Sequence, residues 1–277
     1  MKPDDLSAVC LPPASALAHS VAQAWHGALA EILDQQRLHA VFQPIVDFGS
    51  AQILGYEGLI RGPSDSPLHS PVNLFEAADA CRQLLALERV CRRVTLHRFA
   101  ELGLCGTLFL NISPATLLDA DFRPGETLGW MRQAGLRPEQ VVIELTETRP
   151  VSEYPVLREA TAHYRRMGFR IALDDLGEGF SNLRLWSELK PDFVKLDKYF
   201  TQAIHLDSAK QQFVRSIHAI ALATGTQVIA EGIESGEELA TLRQLGIGMG
   251  QGYFIERPAS QPSRQLSTAL ATLLQAG

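Results

Sequence analysis

Seven short apolar segments of this 277-residue chain each carry a polar or charged residue with chemical use at or near the carboxyl end. Most are rich in β-branched or aromatic residues and all are too short for helices, so they predict buried strands. The segments are LGYEGLIR, TLFLN, VVIEL, RIALDD, DFVKL, QVIAE and GMGQGYF. Amphipathic stretches of helical length separate them. This alternation predicts an α/β fold, a TIM-type (β/α)8 barrel whose polar residues meet at one rim.

The first two strands are predicted to depart from this alternation. VFQPIV (41–46) and QILGYEGLIR are separated by a short turn at GS, which predicts a hairpin and therefore one antiparallel strand near the N-terminus. The segment GPSDSPLHSP follows Arg61 and is a candidate loop for contacting substrate. Helices are predicted over 14–38, 72–102, 116–134, 154–167, 183–189, 208–224 and 237–245, with a closing helix in 261–277. We interpret 1–37 as an N-terminal tail and linker helix, and 38–277 as the barrel domain.

Composition excludes several classes of function. The net charge of −6 argues against binding long nucleic acids through general electrostatics. No apolar run approaches the roughly 20 residues that cross a bilayer, and the start MKPDDLSAVCLPP lacks the pattern of a signal peptide, so a cytoplasmic location is expected. The four cysteines have no CxxC spacing and are expected to be reduced structural thiols.

Six residues at the predicted rim can offer oxygen ligands to metal ions. Two adjacent carboxylates would repel each other unless a cation lay between them. No histidine stands at a predicted strand end, so the donor set favours Mg²⁺ or Mn²⁺ over zinc. Two such ions clamp the attacking and leaving oxygens of a phosphoryl displacement. The predicted ligands are Glu57, Asn111, Glu144, Asp174, Asp175 and Glu231.

Lys195 ends the next strand, and Asp197 lies two residues further on the same strand face. Three interpretations are open at this point. Lys195 could form a salt bridge with Asp197, could orient a metal-bound water and stabilise charge on phosphorus, or could act as a Schiff-base nucleophile.

Further polar residues on the first strands could contact a nucleotide. Arg61 shares a strand face with Glu57 and Leu59, and its guanidinium suits a phosphate or a guanine edge. Gln43 and Gln251 could read a base through amide hydrogen bonds.

From about Leu38 to Pro258 the chain resembles the EAL-domain family of cyclic di-GMP phosphodiesterases. The blocks that carry the resemblance are FQPIV, GYEGLIRG, LFLNISP, VIELTET, IALDDLGEGFSNL, PDFVKLDKYF, VIAEGIES and GQGYFIERP. The resemblance implies a (β/α)8 barrel, two Mg²⁺ or Mn²⁺ ions, and hydrolysis of cyclic di-GMP to linear pGpG. It also implies that Ca²⁺ is inhibitory, that the chain forms a homodimer, and that a sensory or GGDEF domain precedes it in a longer protein.

The resemblance implies a role for each matching position. The six predicted ligands would hold the metals, and Lys195, Glu57 and Glu231 would form the catalytic set, with Lys195 positioning or activating water. Glu147 would steady the loop that follows Asp175. The residues implied to contact substrate or brace its pocket are Gln43, Leu59, Arg61, Asp197, Glu234 and Gln251.

Two departures from the family pattern stand out. The signature alanine is Gly58, whose side-chain direction opposes that of Glu57, so little effect is expected. In DDLGEG, Leu176 replaces an aromatic ring and Glu178 adds a negative charge, which bears on loop order, dimer coupling and turnover.

Two other functions compete with hydrolysis. The first is a catalytically silent cyclic di-GMP receptor, whose mark would be a gap among the ligand positions. The second is a metal-free barrel lyase that uses Lys195 as a Schiff base, which five acidic residues at the rim make unfavourable.

Overall fold

Eight strands close a barrel in chain order in the computed structural model, which describes residues 14–119, 123–146, 153–177 and 182–275. Seven strands lie parallel to one another around the barrel, which confirms the predicted fold class. The strands are β1 His39–Asp47, β2 Gln52–Arg61, β3 Thr107–Ile112, β4 Val141–Leu145, β5 Arg170–Leu176, β6 Phe193–Leu196, β7 Gln227–Ala230 and β8 Met249–Gly250.

The reversed strand is β1, which pairs antiparallel with both β2 and β8. Asp47 holds the hairpin turn, because its Oδ1 accepts hydrogen bonds from the Ser50 N–H at 2.7 Å and the Ser50 hydroxyl at 3.0 Å. The predicted hairpin is therefore confirmed. Since β1 runs against the other strands, its first residue lies at the same rim as their carboxyl ends.

Helices cover the outside of the barrel. Their bounds are α1 Ala14–Gln35, α2 Pro71–Ala80, α3 Leu84–Glu101, α4 Pro114–Leu118, α5 Pro124–Gln133, α6 Tyr154–Arg166, α7 Asn182–Leu189, α8 Lys198–Thr201, α9 Ser208–Thr224, α10 Gly236–Gln244 and α11 Thr268–Gln275. Short 3-10 turns span Pro138–Gln140 and Ile204–Leu206. In the part of the chain described, no helix has the length and apolar character to span a membrane.

The single helix predicted over 72–102 was wrong. The chain forms α2 and α3, and Arg82 between them adopts a left-handed φ of 54°. The Gln83 N–H reaches back to the Ala78 carbonyl at 2.7 Å, which closes the end of α2. The break lets Leu74 of α2 and Leu87 of α3 both reach the core.

The helix predicted over 116–134 was also wrong, because α4 ends at Leu118 and α5 begins at Pro124. Proline at the first helical position lacks the N–H that would continue an earlier helix, so it starts a new one. The closing helix is shorter than predicted, with Ser267 accepting a hydrogen bond from the Leu270 N–H at its start.

The core has two layers. The larger one lies between the strands and the helices, and the smaller one fills the inside of the barrel. The rings of Phe109 and Phe193 meet edge to face inside the barrel, with centroids 5.4 Å apart. The inner layer consists of Ile45, Phe109, Val142, Ala172, Phe193, Ile229 and Met249. It closes the barrel interior below the rim.

The described cysteines are free thiols, as predicted. Cys91 is buried, Cys81 is half-buried and Cys105 is exposed. Cys10 lies outside the described residues.

The end of α1 is part of the packed structure. Leu29 and Ile32 are 1% and 2% exposed and belong to the layer between helices and strands. This part of α1 therefore contributes to the same core as the barrel strands.

We predict that Ile32→Ala lowers the free energy of unfolding by about 2–5 kcal/mol, because it leaves a cavity in that layer. Asp34→Ala is the control, since Asp34 is exposed on the same helix and should change stability by no more than about 0.5 kcal/mol. Denaturant unfolding of the two variants measures the difference. Equal stability of both variants would show that α1 does not contribute to the fold.

Candidate active site

The rim of the barrel carries a polar layer directly above the apolar one. Side chains alternate along a strand, so residues two apart share a face. Two positions nearer the rim from each residue of the inner apolar layer lies a polar residue, either on the same strand or, for Glu231 and Gln251, directly after it. These polar residues are Gln43, Asn111, Glu144, Asp174, Lys195, Glu231 and Gln251. Glu57 completes the layer above Gly55 on β2. The structure thus brings the predicted rim residues of all eight strands together.

Lys195 stands at the centre of this layer and is 1% exposed. Its Nζ contacts the carboxylate of Glu144, and it lies 2.8 Å from Glu231 Oε1, 3.1 Å from Asp174 Oδ1 and 3.2 Å from Glu57 Oε2. One ammonium is therefore shared by four carboxylates. The interpretation of Lys195 as the partner of Asp197 was wrong.

The crowding of acids shifts the ionisation of the site. Burial raises the pKa of the Glu144 and Glu231 carboxyls well above the ordinary value, and Lys195 offsets this only in part. Burial alone would lower the pKa of the Lys195 ammonium, but the four surrounding carboxylates outweigh it and raise that pKa well above its usual range. Negative charge exceeds positive charge at this rim.

Amide side chains connect the acids. Gln251 donates through Nε2 to Glu57 Oε2 at 2.6 Å and to Glu231 Oε1 at 2.8 Å. Asn111 donates more weakly to Glu57 Oε1 at 3.4 Å. The Thr146 hydroxyl donates to Asn111 Oδ1 at 2.8 Å, which fixes the direction of that amide. The sequence reasoning missed Thr146, although it directly follows the strand that carries Glu144.

The residues present fit a site for divalent cations. One oxygen each from Asp174, Asp175 and Glu231 can lie within 4.8 Å of the others. Among the described residues, the buried Glu144 Oε2 and Gln251 Oε1 have no hydrogen-bond partner. A buried oxygen without a donor is costly, and an oxygen-rich, acidic set is what Mg²⁺ and Mn²⁺ prefer.

A backbone feature brings two of these acids to one place. Asp175 has a left-handed φ of 50°, and the pairing of β5 with β6 is irregular between Leu173 and Leu176. Neighbouring strand residues otherwise face opposite sides. The irregularity lets Asp174 and Asp175 both contribute to the rim cluster.

The other predicted residues occupy several environments. Gln43 is buried and donates through Nε2 to the Glu256 carbonyl at 3.0 Å. Asp197 is buried and caps α8, with its Oδ1 accepting from the Tyr199 N–H at 2.8 Å. Glu234 is exposed on the loop after β7. Glu147 lies outside the described residues.

The family model of the EAL domain matches residues 26–258. The chain belongs to the EAL domain family. It is 28% identical over 214 residues to the Escherichia coli (strain K12) blue light- and temperature-regulated antirepressor BluF, a match that covers 77% of this chain and 52% of BluF. It is 31% identical over 235 residues to the probable cyclic di-GMP phosphodiesterase PdeI of the same strain, covering 80% of this chain and 29% of PdeI. The chain therefore spans about half or less of the length of these curated relatives.

Solved structures agree with this membership. Klebsiella pneumoniae BlrP1, solved as a complex with calcium and cyclic di-GMP, superposes with a TM-score of 0.77 and 30% identity over 84% of this chain and 58% of BlrP1. A standalone versatile EAL protein from Vibrio cholerae O395, in its cyclic di-GMP-bound form, gives a TM-score of 0.77 and 25% identity over 84% of this chain and 97% of that protein.

The structure explains how this EAL domain accommodates glycine at the signature alanine. A Cβ on Gly58 would lie 2.3 Å from Cγ2 of Thr95, a buried residue of α3. Thr95 therefore fills the space that an alanine methyl would need.

The second departure begins at Leu176. Leu176 is 2% exposed and pairs with Leu196, so it belongs to the core. Residues 178–181, which include Glu178, lie outside the described residues.

We predict that Gly58→Ala lowers the free energy of unfolding by about 1–3 kcal/mol, because the new methyl overlaps Thr95 in a filled core. Thr95→Ser removes Cγ2 and should restore most of this loss when combined with Gly58→Ala. A double-mutant cycle measured by denaturant unfolding gives the coupling. Additive effects of the two changes would contradict the overlap.

Proposed function

We propose that this EAL domain hydrolyses cyclic di-GMP to linear pGpG with the help of divalent cations. The observation that carries the proposal is the acidic layer around Lys195, in which four carboxylates lie within 3.2 Å of one buried ammonium. Membership of the EAL domain family and the cyclic di-GMP complexes of similar structures support the choice of ligand.

The acidic layer would hold the cations. Two Mg²⁺ or Mn²⁺ ions, when bound, would supply an activated nucleophile and neutralise charge on the phosphate. The residues proposed to hold them are Glu57, Asn111, Glu144, Asp174, Asp175 and Glu231. Thr146 would keep Asn111 Oδ1 in a fixed direction through its hydrogen bond. Gln251 would hold the carboxylates of Glu57 and Glu231 at a fixed separation, because its Nε2 donates to both.

Lys195 would supply a fixed positive charge. Its ammonium is already oriented by four carboxylates, so it needs no rearrangement to orient water or to stabilise charge developing on the phosphate. Its raised pKa keeps the amine protonated, and a protonated amine is not a nucleophile. This disfavours the Schiff-base lyase.

The substrate side of the site remains a set of predictions. Gln43, Leu59 and Arg61 share the face of the β1–β2 hairpin that carries Glu57, and they are proposed to line the nucleotide. Asp197, Glu234 and Gln251 are proposed to brace the pocket from the other side. A homodimer and an upstream sensory or GGDEF domain also stay predictions.

The competing proposal is a receptor that binds cyclic di-GMP without cutting it. One relative, BluF, is named an antirepressor, which is a regulatory rather than a hydrolytic role. The hydrolysis assay separates the two. The receptor would bind the cyclic dinucleotide and leave it intact.

We expect the purified domain with Mg²⁺ or Mn²⁺ to convert cyclic di-GMP to pGpG, as followed by chromatography of the products. Glu57→Gln should reduce turnover on the order of a hundredfold or more, because it removes a charge from the acidic layer. Glu76→Gln is the matched control, since Glu76 is exposed on α2. Binding of the cyclic dinucleotide without any pGpG would instead favour the receptor.

We expect Lys195→Met to lower turnover by several orders of magnitude while cyclic di-GMP affinity, measured in Ca²⁺, changes by less than about tenfold. An interaction made mainly in the transition state affects kcat more than binding. Calorimetry and initial rates on the same preparation give both quantities. Equal losses in affinity and in turnover would make Lys195 a substrate anchor.

A further inference from the structure

The β1–β2 hairpin extends above the barrel as a two-stranded wall beside the acidic layer. β2 pairs with β3 only from Gly55 to Gly58, whereas it pairs with β1 as far as Arg61. Arg61 lies four positions beyond Glu57, which is about 13 Å along a strand. The wall is therefore tall enough to line a dinucleotide that reaches out of the barrel.

The face of the wall that carries Glu57 becomes more exposed with distance from the acidic layer. Residues directly opposite each other on antiparallel strands share a face, and the pairing is regular here. Gln43 and Glu57 form the lowest pair, Val41 and Leu59 the next, and His39 and Arg61 the highest. The lowest pair is buried, the middle pair is half-buried and His39 is exposed. The residues that alternate with them, Ala40, Phe42 and Ile60, are buried on the opposite face.

The loop after β2 adds a second histidine to the top of this wall. The Gly62 N–H bonds to the His69 carbonyl at 3.1 Å, and His69 Nδ1 lies 2.8 Å from the Gly62 carbonyl. A carbonyl only accepts, so Nδ1 carries the proton and Nε2 stays available. Gly62 is required, because a Cβ there would lie 2.1 Å from the Leu68 carbonyl oxygen. The loop holds the His69 ring stacked on His39, with centroids 5.9 Å apart.

Three groups that can carry positive charge thus meet at the top of the wall. Among the described residues, no ion pair links Arg61, His39 or His69 to a carboxylate. The pKa of His39 is lowered first by the partial burial of its ring and then by the charges of His69 and Arg61. Such a concentration of cationic groups is notable in a chain with a net charge of −6. An anion would relieve the repulsion among them.

On the neighbouring elements, Asp65, Glu31 and Glu256 each have a partner outside the top of the wall. On the loop, Asp65 pairs with Arg37 at 3.0 Å, and Glu31 of α1 pairs with the same arginine at 2.9 Å. Asp34 is exposed on α1. In the segment that crosses β1 near Ala259, Glu256 accepts a hydrogen bond from the Ser263 N–H. Arg257 in that segment stacks over Tyr253.

We propose that His39 and His69, together with Arg61, form a binding site for a phosphate group of the guanine dinucleotide. This phosphate site lies at the top of the wall and apart from the acidic layer. The ligand's identity rests on the proposed function. The group bound here is the phosphate that is not attacked, because the attacked one must lie at the acidic layer. Protonated imidazoles and a guanidinium make charge-assisted hydrogen bonds to phosphate oxygens, so the phosphate site binds more tightly as the histidines gain protons.

The test is calorimetric binding of cyclic di-GMP in Ca²⁺ at about pH 6 and about pH 8, because a bound phosphate favours protonation of the imidazoles beside it and these protons are readily available only at the lower pH. At about pH 6 the double variant His39→Gln/His69→Gln should bind about five- to tenfold more weakly than wild type. At about pH 8 the two should agree within about twofold. His97→Gln is the matched control, since His97 is 72% exposed on α3 and should behave as wild type at both pH values.

A second variant separates charge from packing. His39→Lys carries a permanent charge, so it should bind as tightly at about pH 8 as wild type does at about pH 6. If wild type binds and the double variant binds equally tightly at about pH 6, the phosphate site is refuted and the proposed function stands. Wild type that does not bind at either pH would overturn both.

Discussion

The alternation of side chains along the barrel strands is the constraint on which the rest of the structure depends. It places an apolar residue two positions deeper in the barrel than each polar residue except Glu57, so the acids stand on a floor of packed side chains such as Phe109 and Phe193. Because that floor excludes water from below, charges above it lie in a medium of low polarity. Their mutual interactions are correspondingly strong.

Strong interactions make the excess of acid costly and chemically useful. Four carboxylates face one ammonium, so the layer is short of positive charge. Burial first, and the charges of the neighbouring acids second, raise the pKa of the Glu144 and Glu231 carboxyls. Divalent cations would supply that charge and release the protons. Lys195 then has two roles, as a counter-charge of the acidic layer and as a fixed cation beside any phosphate that the layer binds.

The strands and most site residues could be predicted because both depend on local pattern. Asn111 and Glu144 each stand at the end of a short apolar run, and parallel strands must bring such ends together. The turn at Arg82 could not be predicted from the sequence, because it contains neither Gly nor Pro and the apolar spacing continues through it. The partners of Lys195 and the contact of Thr95 with Gly58 depend on strands and helices distant in sequence. The predicted division of the chain at residue 37 stays a prediction.

The reversal of β1 has a consequence for the whole site. In a barrel of parallel strands only, the chain would enter β1 at the end opposite the acids. Here His39 begins β1 beside Arg61, so α1 joins the barrel at the rim that carries the acidic layer. Arg37, between α1 and β1, pairs with Asp65 of the loop that positions His69. The hairpin wall, its loop and the packed end of α1 therefore form one continuous structure at the mouth of the cleft.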